Sequence, residues 1–397
     1  MVSNGGVKAM VLAAGVGSRL DPLTQQLSKP MVPLMNRPVM EHIINLLRKH
    51  GITDIMCNLH YLPDQVPHYF GDGSRLGVRM QYINEEELTG DAGGVRACRD
   101  FFGNSTFVVI MGDLITDLDL SYVIRQHQEK SAVATIALKK VEDVSQFGVA
   151  VMDENGFITG FQEKPDPSEA ISNLASTGVY VCEPEIFDVM PAEGMCMFGR
   201  MVFPAMLQKN MPILGVETWG YWSDVGTPQQ YLKTTFDALD GLIDLEVPCQ
   251  QQDFGWVCGG SDLPSDLDVR GKLLVGYNTH IGEGVRIRGH VVIGDNCVIE
   301  RNAEITDSII WSNNIVRPNA TIRDSIIGNG CLVERGARVR DEVTIEKQHN
   351  LSAERLQKEA SQVRERAFAL SGAGDEMLGM VPEMSSQRSS ALRQAGS

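Results

Sequence analysis

The chain has 397 residues, of which 43% are apolar, and its 35 basic and 51 acidic side chains give a net charge of −16. This length suits two or three domains, and the negative charge argues against nucleic acid or an anionic membrane as a partner. No apolar run approaches the ~20 residues that span a bilayer, and residues 1–8 contain no separate signal-peptide core. The sequence therefore predicts a cytoplasmic protein.

The eight cysteines are scattered and form no C-x-x-C pair. The spacing that marks a zinc site is therefore missing. Because the chain shows no secretion signal, we expect all eight cysteines to be reduced thiols.

Residues 1–245 alternate strand and helix patterns. Val7–Ala14 is a continuous apolar run, as in a buried parallel strand, and Pro38–His50 has a helical period that ends at Gly51. Further strands are predicted at Ile52–Leu59, Val78–Ile83 and Thr106–Met111, and further helices near Asp64–Phe70 and over Ala92–Phe101. A hairpin is predicted for Gly148–Met152 and Phe157–Glu163. We therefore predict an α/β domain with a Rossmann-like mixed sheet.

Residues 246–270 are rich in glycine and proline and are interpreted as an irregular linker. From residue 271, branched aliphatic residues recur every six positions, with a five-residue step after Asp307-Ser308 and after Asp324-Ser325. These residues are Val275, Ile281, Ile287, Ile293, Ile299, Ile305, Ile310, Val316, Ile322, Ile327, Val333, Val339 and Ile345. A six-residue period is typical of a parallel β-helix with three faces per coil, so we predict about four coils over residues 271–346.

Residues 347–397 contain one helix-like stretch, Ala353–Leu370. The Ser-, Gln- and Gly-rich tail that follows lacks a core pattern, and we expect it to be disordered.

A glycine turn follows the first predicted strand and reads Leu12-Ala13-Ala14-Gly15-Val16-Gly17-Ser18-Arg19. Its small residues would let the backbone approach a ligand. The turn is not a dinucleotide fingerprint, because Leu20 stands where the third glycine would be, and it is not a P-loop. Arg19 and Lys29 could bind the β- and γ-phosphates of a triphosphate. The alternative is an ordinary helix start with surface cations.

Two aspartates follow or precede predicted elements where a metal could bind. Asp113 ends a buried strand at the carboxyl edge of the sheet, where open α/β sheets bind ligands. Mg²⁺ uses one or two carboxylates together with phosphate oxygens, and Asp224 could supply the second carboxylate. Either residue could instead be a helix N-cap.

Two further segments are open to a binding or a structural interpretation. Glu163-Lys164-Pro165 could hold sugar hydroxyls and a phosphate, or form an exposed ion pair. The three acids of 85–87, before Gly90, could read the N–H edge of a base or stabilise the dipole of the following helix.

In this order, the motifs resemble those of the sugar-phosphate nucleotidyltransferase family, whose members join a nucleotidyl transferase domain to a left-handed β-helix. The resemblance covers about residues 7–345. It implies that a nucleoside triphosphate and a hexose 1-phosphate react to give a nucleotide sugar and pyrophosphate, with Mg²⁺ as cofactor. We also expect a homo-oligomer, because the end coil of a β-helix is an exposed edge that invites pairing.

The resemblance also assigns roles to residues of this chain. Arg19, Lys29 and Lys164 would be catalytic, and Asp113 and Asp224 would hold the metal. The nucleotide-binding residues would be Leu12, Ala13, Ala14, Gly15, Gly17, Ser18, Glu86, Gly90 and Gly112. The sugar-binding residues would be Glu163, Thr177 and Gly178.

The motifs point to two pairs of substrates. The loop before Ala92 is similar to that of mannose-1-phosphate guanylyltransferases, which typically have Asn-Ala-Gly where this chain has Ser176-Thr177-Gly178. Thr-Gly is more similar to thymidylyl- and uridylyltransferases, and the whole chain is similar to cyanobacterial proteins of the UDP-glucose pyrophosphorylase type. We therefore predict UTP and glucose 1-phosphate, with GTP and mannose 1-phosphate as the alternative.

Two other classes of protein are also considered. One is a non-catalytic regulatory subunit of the same fold, and the presence of all five charged catalytic and metal-binding residues argues against it. The other is a bifunctional enzyme whose β-helix transfers acyl groups through His280 or His290, which we interpret by default as surface residues.

Overall fold

The computed structural model describes residues 6–345, which form a mixed α/β part followed by a β-helix. The α-helices in this range are α1 (Val39–Lys49), α2 (Gln65–Phe70), α3 (Asp91–Ala97), α4 (Arg99–Phe102), α5 (Leu120–Glu129), α6 (Phe203–Gln208) and α7 (Pro228–Leu239). The strands of the α/β part are β1 (Lys8–Leu12), β2 (Pro33–Leu34), β3 (Arg37–Pro38), β4 (Asp54–Leu59), β5 (Arg79–Asn84), β6 (Phe107–Met111), β7 (Ile115–Thr116), β8 (Ala134–Lys140), β9 (Gly148–Met152), β10 (Ile158–Glu163), β11 (Leu174–Cys182), β12 (Ile213–Glu217) and β13 (Trp222–Ser223).

The remaining strands belong to the second part of the chain. They are β14 (Gln250–Gln252), β15 (Gly255–Val257), β16 (Asp268–Val275), β17 (His280–Ile281), β18 (Arg286–Ile293), β19 (Val298–Ile299), β20 (Glu304–Ile310), β21 (Ile315–Val316), β22 (Thr321–Arg323), β23 (Ile326–Ile327), β24 (Leu332–Val333), β25 (Arg338–Arg340) and β26 (Val343–Thr344).

A nine-stranded sheet forms the centre of the α/β part. Its order is β10-β9-β11-β6-β1-β4-β5, with β8 beside β11 and β12 beside β8. β1 pairs in parallel with β4 and β6, whereas β11 pairs antiparallel with β6 and β8. The predicted mixed sheet is therefore confirmed. The central strands β1 and β6 are largely buried, as expected of apolar runs that are covered on both faces.

The parallel strands place their carboxyl ends at one edge of the sheet. The pairing of β1 with β6 aligns Leu12 with Met111, so the segments that follow these two residues leave the sheet side by side. The segment after β1 carries Arg19 and Lys29, and the segment after β6 carries Asp113. The topology alone thus brings three of the predicted charged residues to one edge.

The helices agree with the predictions except at one position. α1 ends just before Gly51, which has a φ of 77°, and β9 and β10 form the predicted hairpin. The helix predicted over Ala92–Phe101 is instead divided into α3 and α4 at Cys98. The break directs Phe102 into the core, where its ring stacks on Phe107 with 4.1 Å between centroids.

The second part of the chain is a parallel β-helix with three faces. The inward residues align in three rows: Val275, Ile293, Ile310 and Ile327; Ile281, Ile299, Val316 and Val333; and Ile287, Ile305, Ile322 and Val339. With the exception of the partly buried Val339, these residues are buried in one apolar core. The periodicity therefore predicted the fold and the register of these coils correctly.

The β-helix begins earlier than predicted. Val257, Leu263 and Val269 precede Val275 at the same six-residue step and pack against the same core, and β15 pairs in parallel with β16. The prediction of an irregular linker is therefore wrong for residues 250–270. The glycines and prolines of this segment shape the hairpin and corners of an additional coil.

The last step of the β-helix is also shorter than predicted. Thr344, and not Ile345, pairs with Ile327, while Ile345 packs outward against the α/β part. The step shortens to five residues at Asp341, which has a φ of 52°. The two earlier short steps lie at Asp307 and Asp324, which also have a positive φ. The sequence signal was missed because Glu342 stands where the earlier short steps have serine.

Cys249 and Cys258 form a disulfide, with their Cα atoms 4.4 Å apart. They lie immediately outside β14 and β15, whose antiparallel pairing places them opposite each other. The prediction of eight reduced thiols is therefore wrong for this pair. The other six cysteines, all within residues 6–345, are buried and take part in no disulfide.

The β-helix packs against the α/β part through a shared apolar core, called here the interdomain core. Its members from the β-helix side are Cys258, Leu274, Val292, Ile309, Trp311 and Ile326, and its members from the other side include Leu20, Leu23, Val32, Leu34, Met35 and Tyr231. The indole Nε1 of Trp311 donates to the Tyr231 hydroxyl at 2.9 Å, and this hydroxyl donates to the Pro33 carbonyl. A buried hydrogen-bonded chain thus joins the two parts.

The helix predicted at Ala353–Leu370 and the predicted tail lie outside the described residues. Among residues 6–345, the model contains no helix that is long and apolar enough to cross a membrane.

Replacing Tyr231 by Phe should lower the free energy of unfolding by about 1–3 kcal/mol, because Trp311 Nε1 and the Pro33 carbonyl would lose a buried partner. Urea denaturation followed by tryptophan fluorescence would measure this change. Tyr122→Phe is the control, because the hydroxyl of Tyr122 has no hydrogen bond within the described structure. Equal losses in the two variants would contradict the proposed contact.

Candidate active site

The segment after β1 forms a compact turn against Lys29. Gly17 has a φ of 73°, and a Cβ at this position would lie 2.9 Å from the Cβ of Lys29. Only glycine avoids both the strained backbone and the close contact. Ala13 and Ala14 are buried, whereas Gly15 is exposed and would have nothing within 4 Å of an added Cβ. The turn is therefore closed on one side and open to a ligand on the other.

Lys29 is the central cation of the site. Its side chain is buried, its ammonium forms an ion pair with the Asp113 carboxylate, and it donates to the Asp224 carbonyl at 3.4 Å. The Arg19 guanidinium lies 3.8 Å from Asp224 Oδ2 and donates to Gln146 Oε1 at 3.3 Å. The structure thus brings together four of the five charged residues assigned to catalysis and metal binding, in one cluster.

Glu163 is the last residue of β10, Lys164 follows it, and both lie in a second cluster. The Glu163 carboxylate sits between Gly148 and Gly199, because a Cβ at either glycine would contact Glu163 Oε2. Burial raises the pKa of Glu163, and the nearby Lys164 and Arg200 oppose this shift. The site therefore holds a half-buried carboxylate with two cations close to it.

The two clusters are connected through the segment before β9. The Lys164 amide donates to the Phe147 carbonyl at 3.0 Å, and Phe147 follows Gln146, which binds Arg19. The Phe147 ring packs against Trp222 with 4.9 Å between centroids. The backbone of Lys164 thus contacts the residue next to Gln146, which binds Arg19, so the two clusters are neighbours.

Thr177 and Gly178 occupy a bulge in β11, where the pairing with β8 shifts register. The Thr177 hydroxyl donates to the Ala137 carbonyl at 2.9 Å, and the Thr177 carbonyl accepts from Trp222 Nε1 at 2.8 Å. Gly178 has a φ of 76°, and a Cβ there would lie 2.8 Å from Met111 Cγ. Thr177 is buried in the sheet, and the polar atoms of Thr177 named here are already paired.

The loop that precedes α3 is organised by Glu85 and not by Glu86, whose side chain is exposed. Glu85 Oε2 accepts from the amide and hydroxyl of Thr89 at 3.2 and 2.9 Å. Glu85 Oε1 accepts from Asn58 Nδ2 at 2.5 Å, and Asn58 Oδ1 accepts from the Ala13 amide at 2.9 Å. This chain of hydrogen bonds connects the loop to the glycine turn. The Ala13 N–H takes part in it and is therefore already paired.

The remaining predicted glycines have packing roles. Gly90 has a φ of 84° and lies against the Cys196 carbonyl, and the Gly112 amide donates to the Leu12 carbonyl at 2.9 Å. Leu12 is the last residue of β1, and Ser18 directly precedes Arg19. Asn58, Gln146, Trp222 and Arg200 were not predicted; Asn58 was detectable, because it lies near the carboxyl end of a predicted strand.

Comparisons with known families agree with this architecture. Residues 8–241 match the family model described as "Nucleotidyl transferase", and residues 260–355 match the model described as "EIF2B subunit epsilon LbH domain". The second match agrees with the predicted left-handed β-helix.

Several known proteins are similar to this chain. A UTP–glucose-1-phosphate uridylyltransferase of Synechocystis sp. is 36% identical over 321 residues, which are 77% of this chain and 83% of that protein. A mannose-1-phosphate guanylyltransferase of Mycobacterium tuberculosis is 32% identical over 303 residues, which are 74% and 83% of the two chains. A crystal structure of a Bacillus anthracis glucose-1-phosphate thymidylyltransferase has a TM-score of 0.55 and 28% identity, covering 60% of this chain and 96% of that one.

The family match covers more than half of the chain, and both relatives are similar over most of their length. The sheet topology and the charged cluster at its edge agree with these matches. The chain therefore belongs to the nucleotidyl transferase family.

Proposed function

We propose that this protein transfers a nucleotidyl group from a nucleoside triphosphate to a hexose 1-phosphate and releases pyrophosphate. The proposal depends on one observation: Arg19, Lys29, Asp113 and Asp224 form a single charged cluster at the carboxyl edge of the sheet. In a chain of net charge −16, this cluster places two cations where the two anionic substrates would meet, and Mg²⁺ on the two carboxylates would offset the negative charge of these carboxylates. For the sequence reasons given above, we expect the protein to act in the cytoplasm as a homo-oligomer.

The reaction needs correct positioning and charge neutralisation. Arg19 and Lys29 bind the β- and γ-phosphates and stabilise the charge that develops as pyrophosphate leaves. Lys164 binds the phosphate of the hexose, so that one of its oxygens approaches the α-phosphorus in line. A bond forms between this oxygen and the α-phosphorus, and the bond from the α-phosphorus to the oxygen of the leaving pyrophosphate breaks. No covalent enzyme intermediate is required.

Asp113 and Asp224 are suited to hold Mg²⁺. The Lys29 ammonium contacts the carboxylate of Asp113 and the backbone carbonyl of Asp224, so the two residues are neighbours in the cluster. Two carboxylates completed by phosphate oxygens are a common set of ligands for Mg²⁺. Residues 6–345 contain no group of three or more His, Cys, Asp or Glu that could hold a metal, and a site shared with substrate does not need one. Bound Mg²⁺ would neutralise phosphate charge.

We favour UTP and glucose 1-phosphate as the substrates. The Thr177-Gly178 pair supports this choice, as does the 36% identity to a protein named UTP–glucose-1-phosphate uridylyltransferase. In this assignment the Glu163 carboxylate accepts hydrogen bonds from the sugar hydroxyls. GTP and mannose 1-phosphate are the second candidate, supported by the loop before Ala92 and by the 32% identity to a mannose-1-phosphate guanylyltransferase.

The histidines considered for acyl transfer are engaged elsewhere. His290 stacks on Phe236 with 5.1 Å between centroids, and its Nε2 lies 2.8 Å from Asp240 Oδ1. His280 Nδ1 lies 2.9 Å from Asp262 Oδ2. His290 therefore belongs to the contact between the β-helix and α7, which favours a structural role over acyl transfer.

The proposed activity can be tested with a matrix of UTP, GTP, ATP and dTTP against the 1-phosphates of glucose, mannose, galactose and glucosamine. Pyrophosphate release should be fastest with UTP and glucose 1-phosphate, with kcat/KM at least about tenfold above any other pair, since ~1.4 kcal/mol of differential binding gives this ratio. A preference for GTP with mannose 1-phosphate would overturn the substrate assignment. Absence of release with every pair would support the regulatory subunit instead.

Replacing Lys29 by Met should lower kcat/KM by roughly 10²–10³-fold, because a fixed donor to the charge that develops on the phosphates is removed. Lys233→Met is the control, since Lys233 pairs with Asp237 on an exposed helix surface. Steady-state kinetics on both variants, with circular dichroism to verify folding, would provide the comparison. A folded Lys29→Met enzyme within threefold of the control would contradict the assigned role.

A further inference from the structure

Two segments from distant parts of the chain are joined beside the pocket. One is the loop 89–93, which includes the start of α3, and the other is the segment 196–199. The Cys196 amide donates to the Thr89 carbonyl at 2.8 Å, and the Gly93 amide donates to the Cys196 carbonyl at 3.0 Å. A third bond comes from a side chain, because the Phe198 amide donates to Asp91 Oδ1 at 2.9 Å.

The contact between these segments leaves no space for independent movement. A Cβ at Gly90 would contact the Cys196 carbonyl and would lie 3.0 Å from Met195 Sδ. A shift of the loop toward its partner would therefore meet backbone atoms, and a shift away would break the three hydrogen bonds. Displacements of one segment must be shared by the other.

The segment 196–199 also contacts the Glu163 carboxylate. A Cβ at Gly199 would contact Glu163 Oε2 and would lie 3.2 Å from the Phe161 ring. Phe198 itself is buried, and its ring packs on Tyr180 with 5.0 Å between centroids. The position of this segment therefore sets the space that is available to the Glu163 side chain.

Asp91 is the side chain that connects these parts. Its Oδ1 accepts from the Ala92 amide at 2.7 Å, at the start of α3, and from Phe198 across the contact. Burial raises the pKa of Asp91, and the hydrogen bonds from the Phe198 and Ala92 amides oppose this shift. One carboxylate thus joins the start of α3 to the segment beside Glu163.

We propose that Asp91 is a positioning residue that couples the nucleobase loop to the hexose side of the pocket, so that binding of one substrate increases the affinity for the other. The inference rests on the proposed function. A base that orders the loop 85–90 fixes Asp91 and the segment 196–199, and this segment fixes Glu163. Such coupling is reciprocal, because the free energy of linkage is shared by both ligands.

The coupling can be measured without turnover by using the α,β-methylene analogue of the best triphosphate, whose carbon bridge cannot be cleaved. Calorimetry gives its Kd in the presence of Mg²⁺, with and without saturating hexose 1-phosphate. The ratio of the two values should be roughly 5–150-fold in the wild type, the usual range of such couplings. Asp91→Ala should lower this ratio several-fold, because the bond to Phe198, one of the three that join the segments, is lost.

Two variants separate the hydrogen bond from other effects. Asp91→Asn keeps an acceptor oxygen for the Ala92 and Phe198 amides and should retain most of the ratio. Asp119→Ala removes another aspartate at a helix start, the N-cap of α5, where Asp119 Oδ1 accepts from the Tyr122 amide at 2.9 Å, and should leave the ratio unchanged. An unchanged ratio in Asp91→Ala, or its loss in Asp91→Asn, would overturn the proposal.

Hydrogen exchange on the wild-type protein provides a test that does not depend on the variants folding. The analogue alone should slow amide exchange in residues 195–202, although no hexose phosphate is present. Unchanged exchange there would overturn the coupling. Because turnover of the wild type is measured separately, an active enzyme with a ratio of one would refute the coupling and leave the proposed function intact.

Discussion

The site depends on a buried ammonium group, that of Lys29, which is held between the carboxylate of Asp113 and the carbonyl of Asp224. These contacts join residues that are 84 and 195 positions apart in the sequence. A buried cation is stable only when its charge is paired. Lys29 and its partners Asp113 and Asp224 therefore hold one another in position. The same arrangement holds Arg19 and Lys29 next to two carboxylates, and in the proposed function the cations would bind phosphate while the carboxylates bind Mg²⁺.

The β-helix contributes to this arrangement through the segment that carries Arg19 and Lys29. Apolar residues of the segment, among them Leu20, Leu23 and Val32, belong to the interdomain core, and therefore pack against the β-helix. Gln26 lies in the same segment, where its side chain bonds to the amide of Asn329 at 3.1 Å and to the carbonyl of Ile345 at 3.0 Å. The segment that carries Arg19 and Lys29 is therefore packed against the β-helix, and we expect a displacement of the last coil to shift this segment as well.

The sequence allowed the coarse fold to be predicted because its signals are local and repeated. Continuous apolar runs indicate central strands, and the six-residue step indicates a β-helix. Two wrong predictions concerned features that depend on non-local contacts. Thr344, and not Ile345, occupies the inward position of the last coil. The disulfide of Cys249 with Cys258 follows from the pairing of two strands. The prediction of a linker at residues 250–270 was wrong for a different reason. Val257, Leu263 and Val269 continue the six-residue step of the β-helix, but they lie among glycines and prolines that are typical of turns.

The candidate site shows the same limit. The charged residues were recognisable from their order along the chain, but the partners of each could not be read from it. Glu85 and Glu86 are equivalent in the sequence, and only the fold directs Glu85 toward Asn58 and leaves Glu86 exposed. The Thr177 hydroxyl likewise binds the Ala137 carbonyl because β8 and β11 are neighbours.

The most direct test of the central claim is an anomalous difference map from a crystal of the full chain soaked with Mn²⁺ and pyrophosphate. The account predicts one metal peak between the carboxylates of Asp113 and Asp224, with the pyrophosphate in contact with Arg19 and Lys29. A metal peak remote from both aspartates, or pyrophosphate bound in a cleft that does not contain Lys29, would contradict it.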